Sequence, residues 1–122
     1  MSDCVGRFPL DTVCQGDALA LLPELPEASV DLIVTDPPFA IDFRDQRNNY
    51  NRTGARVLPG YREIGTAEYG EFTGAWMREA FRVLRETGSL YVFSGWNHLK
   101  EILTALDASG FTTVNHLIWK YQ

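Results

Sequence analysis

A chain of 122 residues, 45% apolar and 22% charged, has the makings of one domain that buries a core of its own, though not a generous one. It holds no membrane-length apolar run, and its opening MSDCVGRF lacks the basic and apolar regions of a secretory signal, so the expected location is the cytoplasm. A net charge of −5 excludes a protein whose whole surface binds nucleic acid, and Cys4 and Cys14 are too few and too poorly spaced for a disulfide framework or a zinc site.

In chain order, residues 12–14 predict a short strand that stops at Gln15-Gly16-Asp17. Asp17 stands where a helix N-cap would, before Ala18, Leu19, Ala20, Leu21 and Leu22. Pro23 and Pro26 are expected to end that short helix. Val30, Leu32, Ile33 and Val34 form a nearly continuous apolar run, the pattern of a parallel strand covered on both faces. Periodicity then vanishes over residues 42–67, a stretch rich in Asn, Arg and Gly that reads as a long loop, mobile in the absence of a ligand. Phe72, Trp76, Ala80 and Leu84 recur at helical spacing, with Gly88 placed to close the helix. Residues 89–94 (SLYVFS) predict a second buried strand. Asn97 is placed to cap a second helix bearing Leu99, Ile102, Leu103 and Leu106 on one face, with Gly110 after its end. A third strand is expected over residues 112–121. Strands joined by helices imply a mostly parallel sheet with right-handed crossovers, the α/β class.

Ligands of such sheets collect at the carboxyl ends of the strands. Asp36-Pro37-Pro38-Phe39 lies at one such end and Ser94-Gly95-Trp96 at another. A carboxylate there accepts a hydrogen bond from an amino group, and the Pro37 carbonyl is a second acceptor on a residue that cannot donate. Two acceptors aimed at one NH₂ group hold it and draw its lone pair out of conjugation. Phe39 is placed to stack on the ring that carries it. Such a device makes an exocyclic amine nucleophilic, and its natural electrophile is an activated methyl group.

These residues resemble the amino-group DNA methyltransferases, which modify adenine N6 or cytosine N4. The catalytic motif of that family, an Asp, Asn or Ser followed by Pro-Pro and an aromatic, is matched by Asp36, Pro37, Pro38 and Phe39. Gly16-Asp17 upstream, the strand over residues 29–38, Gly-Ser-Leu-Tyr-Val-Phe at residues 88–93, Gly110-Phe111 and Ile118-Trp119-Lys120 match in order. The resemblance implies a partial Rossmann-like sheet with helices on both faces, S-adenosylmethionine as methyl donor, and double-stranded DNA as substrate. Adenine N6 is the favoured target because the motif begins with Asp. Asp17 would contact the cofactor's adenine, although a plain N-cap explains it as well. The Phe-x-Gly-x-Gly motif through which the family holds its cofactor does not occur in this sequence. The chain therefore resembles the catalytic half of the subclass whose catalytic motif comes first. A fragment, a degenerate gene or one subunit of a split enzyme, completed by a second chain or a C-terminal segment, would all look like this.

Arg44, Arg47, Arg52, Arg56 and Arg62 lie in the 42–67 stretch with few acids and are suited to gripping DNA phosphates, with a solvated loop the plainer reading. Trp76 and Trp119 are expected to be core aromatics. His98 and His116 have no partner at metal or triad spacing, so no metal is expected. A non-catalytic remnant and an enzyme acting on RNA or protein amino groups are the alternatives.

Overall fold

A computed structural model of the chain describes residues 3–38 and 68–121. The first regular structure is a small antiparallel hairpin, β1 (Cys4–Val5) against β2 (Phe8–Pro9), turned at Gly6, whose φ of 60° suits a residue without a side chain. Arg7 in that turn reaches Glu24 at 2.6 Å and lies over the Phe8 ring. The strand expected at residues 12–14 does not form. That segment is irregular, and Val13 is 99% exposed. Three residues with no neighbouring strand leave their backbone groups to water instead.

Helix α1 (Ala18–Leu21) begins as expected, with the Asp17 carboxylate accepting the Leu19 N–H at 2.9 Å. The α-helix stops at Leu21, ahead of Pro23, and all helical structure here has ended by Leu25, ahead of Pro26. The chain tightens into a 3₁₀ turn, Leu22–Glu24, with Pro23 in its first positions, where no N–H is needed. Leu25 is then extended and leads to β3 (Val30–Thr35).

Helix α2 (Tyr69–Val83) buries Tyr69, Thr73, Trp76, Met77, Ala80 and Val83, a stripe recurring every three or four residues. Leu84, at helical spacing from Ala80, was expected to continue it. Instead Leu84 is extended and pairs with Val30 as the first residue of β4 (Leu84–Val92), which runs parallel to β3. Gly88 therefore lies inside a strand and closes no helix. The register passes from Val30↔Leu84 to Leu32↔Ser89, so residues 85–88 all stand opposite Asp31. A Cβ on Gly88 would lie 3.0 Å from the Arg85 carbonyl oxygen and 3.1 Å from that of Asp31. Close backbone approach explains this glycine. Arg85 secures the same irregularity through a 2.6 Å ion pair with Asp31.

A 3₁₀ turn (Trp96–His98) precedes α3 (Leu99–Ser109). Asn97 falls inside the turn and does not cap; the Leu99 N–H bonds the Trp96 carbonyl, so backbone does the work expected of a side chain. Gly110 does close α3, in the left-handed conformation (φ 105°), and Phe111 N–H bonds the Leu106 carbonyl at 3.0 Å.

Trp76 (6% exposed), Met77, Ala80, Ile102 and Ala105 form the core between α2 and α3, and Ile33, Leu90 and Val92 pack on it from the sheet. By the period-two alternation of a strand, Leu32, Val34, Tyr91 and Phe93 face the other way, and they are 54%, 61%, 53% and 50% exposed. Coverage on both faces, expected from the unbroken apolar runs, is thus found on one face among the described residues. The third strand is absent as well. Residues 112–121 are irregular and pair with no described strand, and Trp119 is 80% exposed rather than core. The architecture is α/β, with one two-stranded parallel sheet and one small hairpin among the described residues.

Candidate amine-binding site

The site begins at the last rung of the β3/β4 ladder. Phe93 N–H donates to the Thr35 carbonyl at 3.0 Å, and beyond that bond both strands leave the sheet at the same end. Asp36 is the first residue beyond β3. It is exposed, and its carboxylate makes no hydrogen bond or ion pair to a described residue, unlike Asp31 within that strand. Pro37 is buried and Pro38 half-buried. A buried pyrrolidine ring fixes its own φ and so restricts where the adjoining carbonyls point. On the β4 side Phe93 is 50% and Trp96 86% exposed. Between them, Ser94 Oγ donates to the Gly95 carbonyl at 3.3 Å, and beyond its chain neighbours no atom of a described residue lies within 4 Å of where a Gly95 Cβ would be.

An unengaged carboxylate, a restricted carbonyl and two aromatic surfaces therefore share one end of the sheet. Adjacent strands lie about 4.8 Å apart, so a planar ring bearing an amino group spans them easily. Trp96 was expected at this strand end together with Ser94 and Gly95, and Phe93 is the candidate site residue that was not singled out. Its signal was available in the run Phe93-Ser94-Gly95-Trp96, where large aromatics bracket two small residues at a strand end.

Several expected site residues stand elsewhere. Asp17 is exposed at the start of α1, and one of its oxygens is used in capping Leu19. Helix α1 packs on the Leu22–Glu24 turn and α2 rather than on the sheet end. Phe39, Arg44, Arg47, Arg52, Arg56 and Arg62 lie outside the described residues, as does the 42–67 stretch. His98 sits beside the Tyr69 ring (centroids 5.1 Å apart), with Nδ1 3.6 Å from Glu101. His116 is exposed, and no group of metal-ligating side chains occurs among the described residues.

The described residues do not fit S-adenosylmethionine by themselves. A cradle for its amino-acid end needs glycines with open space above them. Gly6, Gly16, Gly88 and Gly110 are each backed at 2.7–3.1 Å by the protein's own atoms. Gly95 alone lies open at a strand end, and one glycine makes no such loop.

The DNA methylase family model, that of the N6/N4 methyltransferases, matches residues 30–122, a span that begins with β3 and contains the whole site. A protein of Escherichia coli (strain K12), YubD, whose name marks it as a methylase, is 29% identical over 109 residues; the match covers 86% of this chain and 40% of that protein. The type II methyltransferase M.HinfI of Haemophilus influenzae is 29% identical over 124 residues, covering 98% of this chain and 33% of its own length. The chain thus spans well under half the length of both relatives. With three quarters of its residues under the family model, the chain belongs to the N6/N4 DNA methylase family.

Proposed function

We propose that this chain is the amine-holding part of an enzyme that methylates an exocyclic amino group in double-stranded DNA, adenine N6 first, with S-adenosylmethionine as methyl donor. The observation that carries this reading is the unengaged Asp36 carboxylate immediately beyond β3, beside buried Pro37 and level with the aromatics of the β4 end. The target base leaves the stack. Asp36 and the Pro37 carbonyl each accept one N–H of its amino group, Pro38 stiffens the turn that aims them, and Phe39 stacks on the ring. Held by two acceptors, the nitrogen pyramidalises and presents its lone pair. The donor, when bound, would supply a sulfonium-activated methyl, the N–C bond forming as the S–C bond breaks with its electron pair left on sulfur, and the amine's proton then leaving to solvent. Positioning supplies most of the acceleration, because the donor already carries the activated group. The five arginines of the 42–67 stretch are proposed to hold phosphates. Asp17 is proposed as the contact to the cofactor's adenine, in a Rossmann-like sheet of which this chain forms one part.

A second reading, one subunit or segment of a divided enzyme, is favoured by the 40% and 33% of the relatives' lengths that the chain covers. Tritiated-methyl transfer from S-adenosylmethionine tests both. The chain is assayed alone and with the remaining part of a relative, against duplex DNA, RNA and protein, and the labelled base is identified by chromatography. N6-methyladenine in DNA is the expected product. Label in RNA or protein, or in no acceptor under either condition, would count against the reading.

A further inference from the structure

Trp96 leaves 86% of its surface in water, although Trp is highly buried on average. Its backbone is not correspondingly loose. Phe93 N–H is bound to the Thr35 carbonyl on one side, and on the other the Leu99 N–H bonds the Trp96 carbonyl as α3 begins. His98, in the same 3₁₀ turn, rests against the buried Tyr69 ring with centroids 5.1 Å apart. A turn held at both ends thus carries an indole that touches little of the described protein. Its chain neighbours differ in charge from the rest of the molecule. The protein has 16 acids against 11 lysines and arginines, yet residues 88–100 (GSLYVFSGWNHLK) hold no acid and end on exposed Lys100. An exposed aromatic in an acid-free stretch of an acidic chain suits a partner that is both a polyanion and a stack of planar rings.

We infer that Trp96 enters the DNA stack at the place that the flipped base vacates. The inference deepens the proposed function and rests on it. Phe39 is the platform proposed for the target base itself, and a wall of the amine pocket would be recessed, as buried Pro37 is. Trp96 instead stands three residues past the Phe93–Thr35 bond that closes the ladder, up to about 10 Å farther along the chain. There it meets the duplex rather than the extruded base. Indole is a planar pair of fused rings close to a purine in size, so it fills the gap left by an adenine and stacks on the base pairs to either side. Opening a duplex costs the stacking and pairing of the removed base. A ring that restores the stacking offsets part of that cost, as inserted apolar side chains do in other DNA complexes. Asp36 and Trp96 divide the work: one holds the amine outside the helix, the other props the helix behind it.

The test measures binding of the full 122-residue chain by fluorescence anisotropy to end-labelled DNA in one low-salt buffer. The probes are an intact duplex, the same duplex with a single abasic site, and the corresponding single strand. The abasic site presents the vacated place ready made. The chain should bind that duplex about tenfold more tightly than the intact one, the usual worth of one base–aromatic stack. Trp96→Ala should abolish the preference and Trp96→Phe should keep part of it. Trp119→Ala, which removes another indole that is 80% exposed, should leave it unchanged. Thermal melts of the Trp96 variants should match the parent, because the ring is already in water. No preference in the parent, a preference that survives Trp96→Ala, or one lost equally in Trp119→Ala would overturn the proposal. So would a loss in Trp96→Ala that is as large on the single strand, since the indole would then be a platform for an unstacked base. A preference carried by Trp96 in a chain that methylates no DNA in the transfer assay would keep the wedge and sink the functional reading. Methylated DNA without the preference would do the reverse.

Discussion

Asp31 lies within β3 and Asp36, five residues later, just past its end, and the two face different fates. Asp31 is tied to Arg85 at 2.6 Å, whereas the Asp36 carboxylate is exposed and unengaged among the described residues. Removing it deletes no packing, so Asp36→Ala should melt with the parent protein. In an enzyme completed with its remaining segment, the same change should slow methyl transfer by about 10²–10³, the usual effect of losing one preorganised polar contact made most strongly in the transition state. An early melt with full activity per folded molecule would make Asp36 a structural residue. Phe39→Ala should weaken capture of the flipped base by roughly 1–3 kcal/mol, with Tyr and Trp tolerated because each keeps an aromatic face. Tyr69 gives a pH dependence. Burial, with the residue 1% exposed, pushes its phenol above the ordinary value of 10.0. The unfolded chain then loses this proton first as pH rises. The stability tied to the neutral phenol is present below pH 10 and is lost as pH climbs through the raised folded value. Urea melts above pH 10 should show that loss, and Tyr69→Phe should reduce it.

At the scale of elements, two glycines that look alike in sequence do different work. Gly110 ends α3 with φ of 105°, and a Cβ there would come within 2.9 Å of the Phe81 ring, so Gly110→Ala should cost about 1–2 kcal/mol. Gly88 admits the β3 backbone, and Gly88→Ala should cost more, because carbonyl oxygens at 3.0–3.1 Å cannot swing aside as a ring can. Equal melting temperatures for the two variants would contradict this. Periodicity marked both helices and the Gly110 cap, because a single buried stripe shows itself in spacing. It misplaced the end of α2, since Leu84 satisfies the helical period and also pairs with Val30, and the pairing prevails. The same ambiguity hid the purpose of Gly88. The end of β3 just before Asp36 was legible because a carboxylate and a paired proline break an apolar run abruptly there. Trp119 was misjudged for a different reason: an apolar run shows that a segment has something to bury, and not whether its partner strand is present.

For the whole molecule, apolar surface is divided unevenly between the two faces of the sheet. The core between α2 and α3 is closed, with Met77 fully buried, while the opposite face and residues 112–121 leave large apolar side chains in water. That imbalance bears on the cofactor as much as on stability. Donor binding needs backbone N–H groups gathered around an anion or a carboxylate, and glycines permit such close approach. Of the described glycines outside the helices, four are backed by the protein's own atoms and Gly95 stands alone. Asp17 offers a hydrogen-bonding group at most, with one oxygen already accepting the Leu19 N–H. Calorimetric titration of S-adenosylmethionine into the isolated chain should therefore show weak binding or none. Addition of the remaining part of a relative should restore it, if that part brings a glycine-rich turn to the open strand ends. The Asp36→Ala variant should recover binding equally, because the role proposed for Asp36 is toward the amine and not the donor. Tight stoichiometric binding by the isolated chain would place the donor pocket among residues 1–122 and remove the reason for a completing segment.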